Sequence, residues 1–116
     1  MGTYQDLDVW KLGMELAEDV YLLTKKFPND EKFGLISQLK RAVVSIPSNI
    51  SEGAGRRHIK ENLHFLRIAL GSLNEVNTQL LLANRLKFCD TQEEIEKINK
   101  LRAKLLNFIK YFENQT

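Results

Sequence analysis

Apolar residues return every three or four positions along most of the chain, which is the period of an α-helix and not of a strand. Four stretches carry this pattern. The first is predicted from Leu7 to Phe27, with Asp6 or Asp8 as its cap and Pro28–Asn29 as its stop. Its apolar positions fall in two adjacent stripes. One is Val9, Leu16, Val20, Leu23 and Phe27, with Gly13 in register; the other is Trp10, Met14, Ala17 and Tyr21. The second stretch starts near Glu31, after the cap signal Asn29–Asp30, and carries Ile36, Leu39, Val43, Ile46 and Ile50. Pro47 lies inside it. A proline there removes one backbone bond and crowds the carbonyl of Val43, so a kink or short break is expected, with the helix resuming in phase at Ile50. Gly53 and Gly55 then stop it.

The third stretch is predicted from Ile59 to Lys87. Its main stripe is Ile59, Leu63, Leu66, Leu70, Leu73, Asn77 and Leu80, and a second stripe is Phe65, Ile68, Ser72, Glu75, Gln79, Leu82 and Leu86. The fourth opens at Thr91, followed three residues on by Glu94, the spacing of a capping box. Ile98, Leu101, Leu105, Phe108 and Phe112 form its buried seam. Four amphipathic helices with short connections make neighbours antiparallel. The expected fold is all-α: one domain over residues 1–116, an antiparallel up-down four-helix bundle with its second helix kinked at Pro47.

Two of the helices are too apolar for a lone bundle, which needs a stripe of only about 100° per helix. The surplus surface predicts self-association into a homo-oligomer. Polar residues also interrupt the pattern: Gln38, Ala42, Ser45, Asn49 and Glu52 make a small polar stripe on the second helix, with Arg41 beside it. An ion pair between Arg41 and Glu75 is expected, with Gln38, Gln79 and Asn49 completing a hydrogen-bonded layer that sets helix register.

Composition narrows the class. At 43% hydrophobic and 28% charged, the chain is too apolar for disorder and too charged for a membrane protein. Neither a membrane span nor a basic-then-apolar leader is visible. The single cysteine, Cys89, forms no internal disulfide and reads as a small buried or half-buried residue at a helix end. A reducing compartment, the cytoplasm, is expected. Net charge is +2, but unevenly spread: residues 1–24 hold one lysine against five acids, whereas residues 25–67 hold nine Lys and Arg against four.

The run FGLISQLKRAVVSIPSNISEGAGRR, residues 33–57, resembles a family of small four-helix-bundle proteins found in intervening sequences of bacterial large-subunit ribosomal RNA genes. The matching parts are Phe33-Gly34-Leu35, Gln38, Arg41-Ala42, Ser45 to Ile50, and Glu52-Gly53. Asp6-Leu7 and Val9-Trp10 resemble the family's opening, and Phe65-Leu66, Ile68-Ala69, Gly71 to Leu73, Glu75 and Thr78 to Leu80 its third helix. His58 departs from the Ser or Thr cap usual there. The resemblance implies a bundle assembled as a homopentameric ring. The chain also resembles accessory subunits of diversity-generating retroelements, which share that fold and bind a reverse transcriptase and nucleic acid.

Candidate chemistry is sparse. Glu61-x-x-His64 has the spacing of di-iron bundles, but no second such motif exists, and His58 lies about 120° from His64 on helical spacing. No metal or cofactor is expected. Two histidines, one cysteine and loop serines make no triad. Ser51 to Gly55 lacks the lysine and hydroxyl of a phosphate loop. An enzyme is therefore not expected. A basic cluster remains: Lys60, His64 and Arg67 on one stripe, Arg56 and Arg57 in the preceding loop, and Lys40–Arg41 on the second helix. Lys40, Arg41, Arg56, Arg57, Lys60 and Arg67 are the candidate contacts to RNA or DNA, reading backbone rather than sequence. The reading is a non-enzymatic homo-oligomeric scaffold. Its competitor is a protein-interaction subunit that docks a partner such as a polymerase or reverse transcriptase and binds no nucleic acid itself.

Overall fold

The apolar periodicity is realised as four α-helices: α1 (Asp8–Thr24), α2 (Leu35–Ala54), α3 (Ile59–Arg85) and α4 (Gln92–Glu113). The computed structural model describes residues 2–116, and no strand occurs among them. Each helix packs on the next in the chain, and α4 also packs on α1, giving an elongated body of 45 × 22 × 21 Å. No helix among the described residues is long and apolar enough to cross a membrane.

Most of each main stripe enters the core, while Ile36, Ile59, Leu70, Phe108 and Phe112 stay half-buried at its edge. Leu16 and Val20 of α1, Leu39, Val43, Ile46 and Ile50 of α2, Leu66, Leu73 and Leu80 of α3, and Ile98, Leu101 and Leu105 of α4 are fully buried. Gly13 lets α1 come close to α2: a Cβ there would meet Ile46 Cγ2 at 3.4 Å and Pro47 Cβ at 3.5 Å. The α-helix runs unbroken through Pro47, which is buried against this crossing. At the last turn of α2 the approach to α3 is tighter. A Cβ on Gly53 would lie 2.7 Å from Asn62 Oδ1 and 3.1 Å from the Asn62 carbonyl oxygen.

The helix ends differ from expectation in physically explicable ways. α1 stops at Thr24, because Pro28 disfavours helical geometry at Phe27 and the chain tightens into three-residue turns there. Phe27 still reaches the core and packs on Phe88 with ring centroids 5.4 Å apart. Asp6 caps a separate turn at Tyr4–Asp6, accepting from the Thr3 amide, and not α1. Asn29–Glu31 is likewise its own 3-10 turn. Helix α2 begins only at Leu35, whose amide donates to Glu31 Oε1 at 3.3 Å.

The Thr91–Glu94 capping box does not form. Thr91 is fully buried, and its hydroxyl donates to the Leu80 carbonyl of α3 at 3.1 Å; Asp90 Oδ1 accepts the Gln92 amide instead. A buried hydroxyl facing another helix is better satisfied across the interface than by its own backbone.

Helix α3 ends two residues before Lys87, which takes a left-handed conformation with φ 62°. The Phe88 amide donates to the Ala83 carbonyl and the Lys87 amide to the Asn84 carbonyl, a Schellman closure in which glycine is the usual residue. Lys87→Gly is expected to raise the unfolding free energy by about 0.5–1 kcal/mol, because the side chain's steric penalty in that conformation exceeds the entropy cost of glycine. A urea midpoint that does not rise would refute this.

Candidate nucleic-acid interface

The expected ion pair between Arg41 and Glu75 is absent. Both side chains are exposed, and Glu75 accepts from Gln79 Nε2 at 3.1 Å instead. Short side chains join the two helices: Ser45 and Ser72 hydroxyls meet at 2.8 Å, and Asn49 Nδ2 donates to Ser45 Oγ at 2.9 Å. Arg41, one helical turn before Ser45, keeps its side chain in solvent. Gln38 is exposed and takes no part in the layer.

The six candidate cations divide into three environments. Lys40 holds its ammonium 4.9 Å from the Tyr21 ring centroid, on the α1 side of α2. Arg56 and Arg67 are engaged by acids. Arg56 pairs with Glu52 at 3.0 Å and lies 4.8 Å over the Phe65 ring, while Arg67 reaches Glu113 of α4 at 2.8 Å. Both pairs are open to solvent, so each is worth under about 1 kcal/mol and can exchange for a phosphate. Arg41, Arg57 and Lys60 are exposed and make no ion pair among the described residues.

Arg56, Arg57 and Lys60 flank the α2–α3 turn. His58 is the residue before α3 and offers no side-chain cap, so the first amides of this 27-residue helix are not met by its side chain. Those amides carry the positive end of the helix dipole, which adds to the charge of Arg57 and Lys60. Beside them opens a cleft of about 450 Å³, walled by Arg57, His58, Asn62 and Phe112. The sequence reading missed the aromatic components here: Phe65 lies under Arg56, and α4 brings Phe112 to the cleft. No local signal couples residue 112 to residue 57. Lys40 lies at the opposite end of α2 and does not join this group.

A second feature is apolar. The outer stripe of α1 stays outside the core and, with Val44 and Pro47 of α2, lines an open groove of about 670 Å³. Tyr4 stacks edge-on against Trp10 at one end of it, with ring centroids 5.5 Å apart.

Other titratable groups lie elsewhere. Lys97 of α4 donates to Asp19 of α1, and that hydrogen bond raises its pKa from the ordinary lysine value. Burial pushes the half-buried Cys89 thiol up, which disfavours the reactive thiolate. No cluster of three His, Cys, Asp or Glu side chains suited to a metal occurs among the described residues.

A search of curated proteins finds no match to the chain. A match to a family spans residues 5–110, from the turn before α1 to the last turns of α4. The chain belongs to the family of 23S rRNA-intervening sequence proteins.

Proposed function

We propose that the protein is a non-enzymatic, cytoplasmic scaffold that assembles from identical copies and holds RNA or DNA by its backbone at the α2–α3 end. The observation that carries this is the pair Arg57 and Lys60, exposed and, among the described residues, engaged in no ion pair, beside the start of α3, which has no side-chain cap. Phosphates favour such a place because helix amides and fixed cations act together. A pentameric ring, as the family resemblance implies, would repeat the surface on every copy and convert weak contacts into avidity. We read the helices as an antiparallel up-and-down bundle: the contacts Gly13 to Pro47, Gly53 to Asn62, Arg67 to Glu113 and Lys97 to Asp19 each pair an early position of one helix with a late position of its neighbour. A bend in α2 at Pro47 is part of the same reading, since the ring crowds the Val43 carbonyl.

Binding of the purified protein to structured RNA, single-stranded DNA and duplex DNA across a salt series tests the proposal. Retention that falls steeply with salt is expected. The double reversal Arg57→Glu, Lys60→Glu should weaken it about tenfold or more with the assembly intact. Retention unchanged by the reversal refutes this surface. Absence of retention even at low salt favours the second reading, a subunit that docks a partner such as a polymerase or reverse transcriptase. The apolar groove between α1 and α2 supports that alternative.

A further inference from the structure

The cleft beside the α2–α3 turn lies between four parts of the chain that are distant in sequence: the turn before α1, the last turn of α2, the start of α3 and the end of α4. Its volume of about 450 Å³ falls in the range of about 300–1,000 Å³ that takes small organic groups. Its walls differ in chemistry. On the α4 side stand Phe108 and Phe112. They pack edge to face with centroids 4.9 Å apart, and both are half-buried, so ring surface is left over for a further partner. On the α3 side stand His58 and Asn62. Neither side chain makes a hydrogen bond among the described residues, although Asn62 is half-buried. Gly53 has no side chain and so leaves room for the Asn62 amide at the wall. Arg57 also lines the cleft and is exposed, and no acid among the described residues lines it.

We infer that the cleft takes an unpaired nucleobase of a bound RNA or DNA strand. This rests on the backbone-binding reading above and adds what the site holds besides phosphate. A nucleobase is flat, polar at its edge and tied to a phosphate, and each property has a counterpart here. The ring surface of Phe112 suits the flat face. The Asn62 amide both donates and accepts, as a base edge requires. Arg57 suits the phosphate. A hydrocarbon ligand would leave the Asn62 amide unsatisfied in a dry site, and a small anion would leave the aromatic wall unused.

Bases inside a duplex have their faces stacked and their edges paired, so the cleft serves single strands, loops and bulges and not a continuous duplex. Stacking accepts every base, because each has a π-face, and the site therefore holds a base with little regard to its identity. The two parts of the binding also respond differently to salt. Phosphate contacts weaken as salt rises, whereas the gain from a stacked base persists.

The test compares two single strands of about ten nucleotides, one of thymidines and one of abasic sugars with the same phosphates, on the purified protein across a salt series. The thymidine strand is expected to be held about tenfold tighter at each salt concentration, with both affinities falling in parallel. Phe112→Ala and Ala54→Leu are each expected to remove that ratio and to leave the abasic strand held as before. Phe112 is half-buried near the end of α4, and circular dichroism verifies that its variant folds. Ala54 is exposed at the last position of α2 and lines the cleft, so a leucine there fills it without disturbing the core. Equal retention of the two strands by the wild-type protein, or a ratio that survives in either folded variant, overturns the nucleobase site and leaves the backbone reading standing. No retention of either strand at low salt overturns both.

Discussion

Leu73→Ala is expected to lower the unfolding free energy by about 2–5 kcal/mol. Leu73 is fully buried in the middle of α3, the longest helix, which packs on both α2 and α4. It is next to Ser72, whose hydroxyl meets Ser45, so α2 and α3 are held at a fixed separation on that side. Collapse into the vacated volume is thereby restricted, which places the cost in the upper part of the range. Domains of this size are stable by about 5–15 kcal/mol, so one such deletion removes a large fraction of the total. Urea denaturation at constant protein concentration measures it, because assembly would shift the midpoint with concentration. A loss below about 1 kcal/mol would mean that the centre of α3 is not the packed core described here.

Gly13→Ala is expected to stabilise the fold and Gly53→Ala is not. Both positions are helical and buried, and alanine gains about 1 kcal/mol over glycine in a helix interior. At Gly13 the new methyl would find Ile46 Cγ2 and Pro47 at ordinary contact distances, so the gain is kept. At Gly53 it would press on the Asn62 carbonyl and Phe65 Cβ, both at 3.1 Å. The Asn62 amide can rotate away, but the carbonyl and Cβ move only with the helix. Overpacking of this kind costs about 1–3 kcal/mol, enough to cancel the propensity gain or exceed it. Gly53→Ala therefore stands at or below wild type and below Gly13→Ala in thermal unfolding. Equal stabilisation by both would show that α2 and α3 do not approach so closely. The effect also reaches the proposed interface, because separation of α2 from Phe65 would displace Arg56, which lies over that ring.

The functional proposal and the assembly proposal use different surfaces. Arg57 and Lys60 sit at the α2–α3 turn, whereas the apolar groove runs between α1 and α2. Nucleic-acid retention and oligomer mass can therefore be broken separately. Loss of assembly with per-copy affinity retained would show how much of the binding comes from repetition in a ring.

Helix number and the core stripes were legible in the sequence, because each helix must bury one face and that face repeats with the helical period. Val9, Leu16, Val20 and Leu23 were read as core from spacing alone, and all are buried. The surplus stripe of α1 was legible as surplus, and it does lie outside the core. What periodicity cannot supply is the group that stands opposite a residue. Arg67 meets Glu113 forty-six positions away, and Thr91 spends its hydroxyl on Leu80 and not on its own helix. Arg41 and Glu75 were paired by phase, yet the short serines between α2 and α3 form the contact and the two long side chains remain in water. The start of α2 was misplaced for a related reason: Glu31 lies outside the helix, in its own 3-10 turn, and accepts from the Leu35 amide, so an acid that looks like a first-turn residue precedes the helix. Spacing fixes the direction in which a side chain leaves its helix. The partner it finds is decided when four such helices close on one another, because long polar side chains take the best acceptor within reach wherever the chain has placed it.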